Sequence, residues 1–292
     1  MNNHIPIDDY IELIPAYSEA IKTVHPDAKL IPNIMRWNIV HRLIRDTGQY
    51  WDVYDQHWYY GSDGQWAYFN MNSWRNEVES SVQAERISDF NRWKNQYGMN
   101  HLEFSYLEWN GPPPELKVGS NPAELDNAML GLIQADQLMF FAKNNVHMAT
   151  AWPMTWQPTG QDVDWNAYNR NLLDRDDSNW LSPSATIFKA FSYVQEGEIL
   201  ENNNDVDLGL RVLTVKRANG QGYAILVLNK SKNDQTLEIE FPINVQRVIE
   251  GINFSEGTNA SEVEIKPIPS ELKDGKLYST FEETSFGYIL VE

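Results

Sequence analysis

The hydrophobic period of this chain changes once, near Leu208, and no other feature limits its fold so tightly. Upstream, segments at helical spacing alternate with short apolar runs. Residues 7–23 put Tyr10, Leu13, Ile14, Tyr17, Ala20 and Ile21 at helical spacing. Runs at 29–33, 53–58, 101–109 and 146–152 read as strands, and helices are expected over 39–44, 76–97, 122–144 and 182–200. Ser182 as N-cap, with Pro183 at the first helical position, marks the start of the last helix. These strands are largely apolar rather than alternating, the pattern of a parallel sheet covered by helices on both faces. Downstream the period is two: LRVLTVK at 210–216, GYAILVLN at 222–229 and TLEIEF at 236–241 are strands separated by turn sequences. Further runs at 245–249, 261–265, 277–281 and 286–291 continue the pattern, the signature of a β-sandwich. The polar stretch 202–205 divides the two regimes, so the expected division is 1–203 and 204–292.

Composition narrows the function. A net charge of −18 argues against a phosphate backbone as ligand. Without cysteine there is no disulfide or thiolate chemistry, which fits either side of a membrane. No apolar run is long enough to span a bilayer, and the first residues lack the basic start and apolar middle of a signal peptide. Eleven tryptophans and fourteen tyrosines, gathered after strand ends, suit either an aromatic core or a carbohydrate platform.

Chemistry is expected where parallel strands end. The first end lies near Asn33, with Arg36 and Trp37 beyond it. The second offers Asp55, His57, Trp58 and Tyr59, the third Glu108, Trp109 and Asn110, and the fourth Trp152 followed by Thr155, Trp156 and Gln157. Glu108, between an apolar strand and the loop NGPPP, is the candidate nucleophile of a glycosidase. The alternatives are a buried carboxylate paired to an arginine or a solvated loop residue. Glu103, an odd number of residues earlier, is expected on the opposite face and too far away to be its partner carboxylate. His57 suits a hydrogen bond to Glu108 or to a sugar hydroxyl, or a satisfied place in the core. Asp55, on the same face, suits either fixing the histidine tautomer or a polar place in a barrel interior, and the Tyr59 phenol suits orienting a carboxylate. Trp152 suits the floor of a sugar subsite. Trp109 suits that or core packing, and Trp58, Trp156, Trp165 and Trp180 are weaker candidates for outer subsites. No glycine-rich phosphate loop or His-Glu-x-x-His occurs, and His101 and His147 begin strands whereas His57 ends one, so neither a metal nor a cofactor is expected.

The stretch from Tyr10 to Leu200 resembles the second half of a retaining glycoside hydrolase (β/α)8 barrel, of the large clan with glutamates at strands four and seven. DVYDQHWY at 52–59 resembles its strand six, LEFSYLEWN at 102–110 its strand seven, and ATAWP at 149–153 its strand eight. A β-sandwich follows the barrel in members of that clan, among them α-L-arabinofuranosidases and β-agarases or porphyranases. The tryptophans around strand eight lean toward the agarase-like group. The resemblance implies a TIM-type barrel represented by strands five to eight, Glu108 as nucleophile, and an acid/base glutamate in an Asn-Glu pair on strand four. Asn76-Glu77 follows strand six and does not fit that place. The resemblance further implies an oligo- or polysaccharide substrate, secretion or a periplasmic place, and a truncated chain. The missing half-barrel, or self-association, would then cover the open sheet edges. A carbohydrate-binding protein without turnover is the second reading, and a structural module the third.

Overall fold

The computed structural model describes residues 5–34, 36–60, 74–111, 127–152, 183–200, 209–220, 222–241, 245–256 and 263–292. The protein is mixed α/β, with one parallel and two antiparallel sheets among the described residues, and contacts divide it into two compact units. The first holds the described residues within 1–59, 79–109 and 144–151, and the second those within 60–78, 110–143 and 152–292. The expected boundary at 203/204 marks a change of sequence period, whereas these units follow contact density.

The first unit begins with α1 (Ile7–Val24) and α2 (Trp37–Thr47). Next come β1 (Val53–Tyr59), α3 (Val78–Gln96), β2 (Glu103–Asn110) and, after the chain returns, β3 (Met148–Ala151). The strands lie in the order β1-β2-β3, with β2 and β3 parallel. The expected strand at 29–33 is instead an irregular segment. The Leu30 amide donates to the Asp52 carboxylate at 2.8 Å, and the Leu30 carbonyl accepts from the Asp52 and Val53 amides. With Pro32 lacking a donor, no ladder develops.

One face of β1 and β2 is aromatic. Tyr54 and Phe104 meet at 5.5 Å between ring centroids, Phe104 and Phe90 of α3 at 5.3 Å, and Trp58 and Tyr106 at 5.8 Å. Each such buried ring is worth roughly 1.5–3 kcal/mol relative to exposure. Trp58 is thus a core residue and not an outer sugar subsite. The other face of β1 carries the half-buried Asp55, His57 and Tyr59. Burial on both faces is the expectation for such strands, yet β1 alternates and β3 is exposed at Met148 and Thr150. On α1, Leu13, Tyr17, Ile21 and Val24 are also exposed, beside an apolar groove of about 340 Å³.

The second unit is built around a six-stranded antiparallel sheet. Its strands are β4 (Glu198–Leu200), β5 (Leu210–Lys216), β6 (Tyr223–Asn229), β8 (Val248–Glu256), β9 (Val263–Pro267) and β12 (Ser285–Val291), in the order β4-β5-β6-β12-β8-β9. A three-stranded antiparallel sheet joins β7 (Gln235–Glu240), β10 (Ser270–Lys273) and β11 (Lys276–Phe281). The central strands β6 and β12 are buried at every position. Tyr223, Ile225, Val227, Ile289 and Val291 meet Leu277 and Phe281 of the smaller sheet in one apolar core. On the alternate positions Phe286 stacks on Phe191 of α5 (Pro183–Ser192). Helix α4 (Asn127–Lys143) comes so close to β8 that a Cβ at Gly131 would stand 2.6 Å from the Phe254 ring. The helix expected over 182–200 stops at Ser192. Glu196, at a left-handed φ of 58°, and Gly197 turn the chain, and Glu198–Leu200 then pairs with β5.

Candidate active site

Four side chains of the first unit meet at the ends of β1 and β2. Tyr59 donates its phenolic hydrogen to Glu108 Oε1 at 2.5 Å. His57 Nδ1 stands 3.5 Å from Glu108 Oε2, and its Nε2 lies 3.1 Å from Asp55 Oδ2. Asp55 Oδ1 accepts the Leu107 amide hydrogen at 2.9 Å. Both nitrogens of His57 therefore face carboxylate oxygens. A doubly protonated ring satisfies both, whereas a neutral ring offers a hydrogen to only one. The Glu108 side chain keeps 34% of its surface exposed, His57 29% and Asp55 17%. Glu108 is thus partly exposed, is oriented by a phenol, and among the described residues has a histidine rather than an arginine against it.

Strict alternation along β2 would not put Glu108 there. Phe104 and Tyr106, at even positions like Glu108, point into the aromatic cluster. The register explains the exception: Tyr106 pairs with Ala149 and Trp109 with Ala151, so Leu107 and Glu108 together oppose Thr150. One extra residue in one strand is a β-bulge, and it reverses the facing of the residues after it. Glu108 thereby joins the face of Asp55, His57 and Tyr59. The same bulge corrects the expectation for Glu103. Counted through it, Glu103 shares a face with Glu108 and is separated from it by the length of the strand. Glu103 meets His147 at 3.0 Å, at the starts of β2 and β3, and His101 approaches the Trp51 carbonyl at 3.2 Å.

The remaining expected site residues take different places. Trp109 is fully buried, as core packing requires. Asn110 belongs to the second unit and is buried. Its amide nitrogen donates to the Trp152 carbonyl at 2.8 Å, and its side-chain oxygen accepts from the Gly111 amide and from Gln134. Trp152, also of the second unit, is 38% exposed. Trp156, Trp165 and Trp180, with Thr155 and Gln157, lie outside the described residues. No group of three or more metal-type ligands occurs among the described residues.

The second unit has a carboxylate cluster of its own, which local sequence patterning does not anticipate. Asp136 of α4 is buried between Lys230, at 2.9 Å, and Arg211, at 2.5 Å. Glu77 reaches Arg211 at 2.8 Å and Lys230 at 3.7 Å, and the Lys230 ammonium lies 4.8 Å from the centre of the Trp74 ring. Burial, the largest influence, holds Lys230 below its ordinary value despite Asp136. Burial opposes the charge of Arg211 as well, but Asp136 and then Glu77 outweigh it and the guanidinium is held above its usual range. Glu77 takes a left-handed φ of 57°, worth about 1–2 kcal/mol of strain. The cluster's one signal in the sequence is a lone acid, Asp136, within the apolar run LIQADQLMFF at 132–141.

No family model matches the chain, and no curated protein matches it. Solved structures do. The family 51 arabinofuranosidase of Xanthomonas axonopodis pv. citri aligns with 99% of this chain at a TM-score of 0.71 and 14% identity. AbfB, a family 51 α-L-arabinofuranosidase of Bifidobacterium longum, aligns with 98% at 0.71 and 12% identity. The catalytic domain of the family 30 xylanase C of Talaromyces cellulolyticus aligns with 97% at 0.58 and 12% identity. The chain spans 63% of the length of each of the two arabinofuranosidases and 56% of the xylanase. The fold is therefore one shared with glycoside hydrolases.

Proposed function

We propose that this chain is the nucleophile-bearing part of a retaining glycoside hydrolase whose substrate is an arabinofuranoside-containing polysaccharide. One observation carries the proposal: a partly exposed glutamate at a strand end, held on one oxygen by a tyrosine and faced on the other by a histidine. Glu108 attacks the anomeric carbon and the glycosidic C–O bond breaks, leaving a glycosyl ester. The departing oxygen takes a proton from a general acid. Water then cleaves the ester, giving its proton to the same group. Tyr59 restrains the carboxylate, which lowers the cost of reaching attack geometry.

Neither Asp55 nor Glu77 is assigned as the general acid. Asp55 is committed to Leu107 and His57, and Glu77 to Arg211 and Lys230. On this reading it comes from the first four strands of a (β/α)8 barrel, with 1–203 as the second half of that barrel and 204–292 as a β-sandwich. The exposed apolar groove on α1 is the face those strand-helix units cover. An enzyme for polymers is proposed to work in the periplasm or outside the cell. The structural likeness to arabinofuranosidases favours that substrate over agarose.

The test uses aryl arabinofuranosides with an activated leaving group, which need no general acid. Slow hydrolysis with retained anomeric configuration, abolished in Glu108→Gln while that variant still binds arabino-oligosaccharides, supports the reading. Hydrolysis that persists in Glu108→Gln, or that inverts the anomeric centre, contradicts it.

A further inference from the structure

We propose that Asp55 is a positioning residue that pins the bulge in β2 and so aims Glu108, using one carboxylate oxygen for the backbone and the other for the ring in front of it. This rests on the reading of Glu108 as nucleophile and deepens it. Without a bulge, position 108 would fall on the face of Phe104 and Tyr106, where the rings of Tyr54, Phe90 and Trp58 already pack. A carboxylate turned into that cluster would lose its water with no donor in return. The bulge avoids this but disrupts the ladder locally, which leaves backbone groups needing other partners.

The Leu107 amide, immediately before Glu108, donates to a side chain of the neighbouring strand, Asp55 Oδ1 at 2.9 Å. The acceptor is charged, and such bonds are about twice as strong as neutral ones. Asp55 is itself two residues from His57 on the same face of β1, which brings Oδ2 to 3.1 Å from His57 Nε2. That leaves Nδ1 directed at Glu108 Oε2. One carboxylate thus fixes the backbone that orients Glu108 and the imidazole that faces it. Tyr59 then meets a Glu108 already placed, from the opposite oxygen.

The experiment compares the whole chain with Asp55→Ala and Asp55→Asn by residue-resolved amide hydrogen exchange, with Glu108 labelled at its carboxyl carbon for NMR. In Asp55→Ala the Leu107 amide is expected to exchange about 100-fold faster. The amides of Phe104 and Tyr106 keep their protection, and the Glu108 carboxyl signal moves toward that of a solvated glutamate. Asparagine retains an acceptor oxygen without the charge, so Leu107 protection falls by about tenfold. If Asp55→Ala fails to fold, the asparagine variant decides alone, and unchanged Leu107 protection there overturns the proposal. Unchanged protection in Asp55→Ala overturns it too, as does a loss spread evenly along β2. None of these readings needs turnover. Glu108→Gln, assayed alongside, tests the nucleophile separately: residual hydrolysis there would remove Glu108 from the chemistry and leave the amide result standing.

Discussion

Two carboxylate clusters, one in each unit, use similar groups to opposite ends. Around Asp136 the acid and both cations are buried and answer one another, with the partly exposed Glu77 bridging the cations. Around Glu108 the charge is partly exposed and answered by a phenol and an imidazole, with no arginine or lysine among its described partners. A buried carboxylate between two cations is chemically spent, because attack on carbon would require breaking two ion pairs in a low dielectric. A carboxylate oriented by weaker donors keeps its lone pairs available. On the proposed reading, the difference favours Glu108 over Asp136 as the reactive acid, and Glu77 is set apart by its ion pairs to Arg211 and Lys230.

Four variants put that contrast at risk. The largest effect is expected at Glu108. Glu108→Gln should lower turnover of an activated arabinofuranoside by at least about 1,000-fold, roughly 4 kcal/mol, with a melting temperature within ~2 °C of the parent. Asp136→Ala should do the reverse. It leaves the buried Lys230 and Arg211 with Glu77 as their one remaining described carboxylate and should cost about 3–5 kcal/mol in urea unfolding, with the Tyr59–Glu108 contact intact by NMR. A stability loss below about 1 kcal/mol would remove the buried cluster from the contrast.

The other two variants should act more weakly. Tyr59→Phe should reduce kcat about 10- to 30-fold with little change in KM, since the lost bond orients the nucleophile rather than the sugar. An effect on KM alone would make Tyr59 a substrate contact instead. The smallest effect concerns pH. Lys230 has a lower proton affinity in the folded chain than in the unfolded one, so the unfolded state binds more protons between the depressed value and the ordinary 10.5. Stability contributed by this residue therefore rises with pH through that window. Lys230→Met should flatten the rise, and a slope unchanged by the substitution would show that other groups produce it.

Much of this arrangement is legible in the sequence. Alternation along β1 puts Asp55, His57 and Tyr59 on one face, and the run LEFSYLEWN marks a strand ending in an acid. Strict alternation misplaces Glu103 relative to Glu108, because a bulge adds a residue without leaving a mark in hydrophobicity. The segment 29–33 has the composition of a strand, since Leu30 and Ile31 are apolar, but its Leu30 amide finds a side-chain acceptor in Asp52 rather than a ladder. The helix from Pro183 is shorter than its periodicity suggests, because the residues after Ser192 remain partly apolar while Glu196 and Gly197 turn the backbone. The buried ion cluster depends on contacts between residues 77, 136, 211 and 230, and local periodicity carries no information at that separation.

The central claim is that the Glu108 carboxylate is the group that bonds to the sugar. Its most direct test is to treat the chain with an activated arabinofuranoside bearing fluorine beside the anomeric carbon, which slows release of a glycosyl ester, and to map the modified peptide by mass spectrometry. A single glycosyl increment on Glu108, absent in Glu108→Gln, is the predicted result. An increment on any other carboxylate, or the same labelling in Glu108→Gln, would contradict the account.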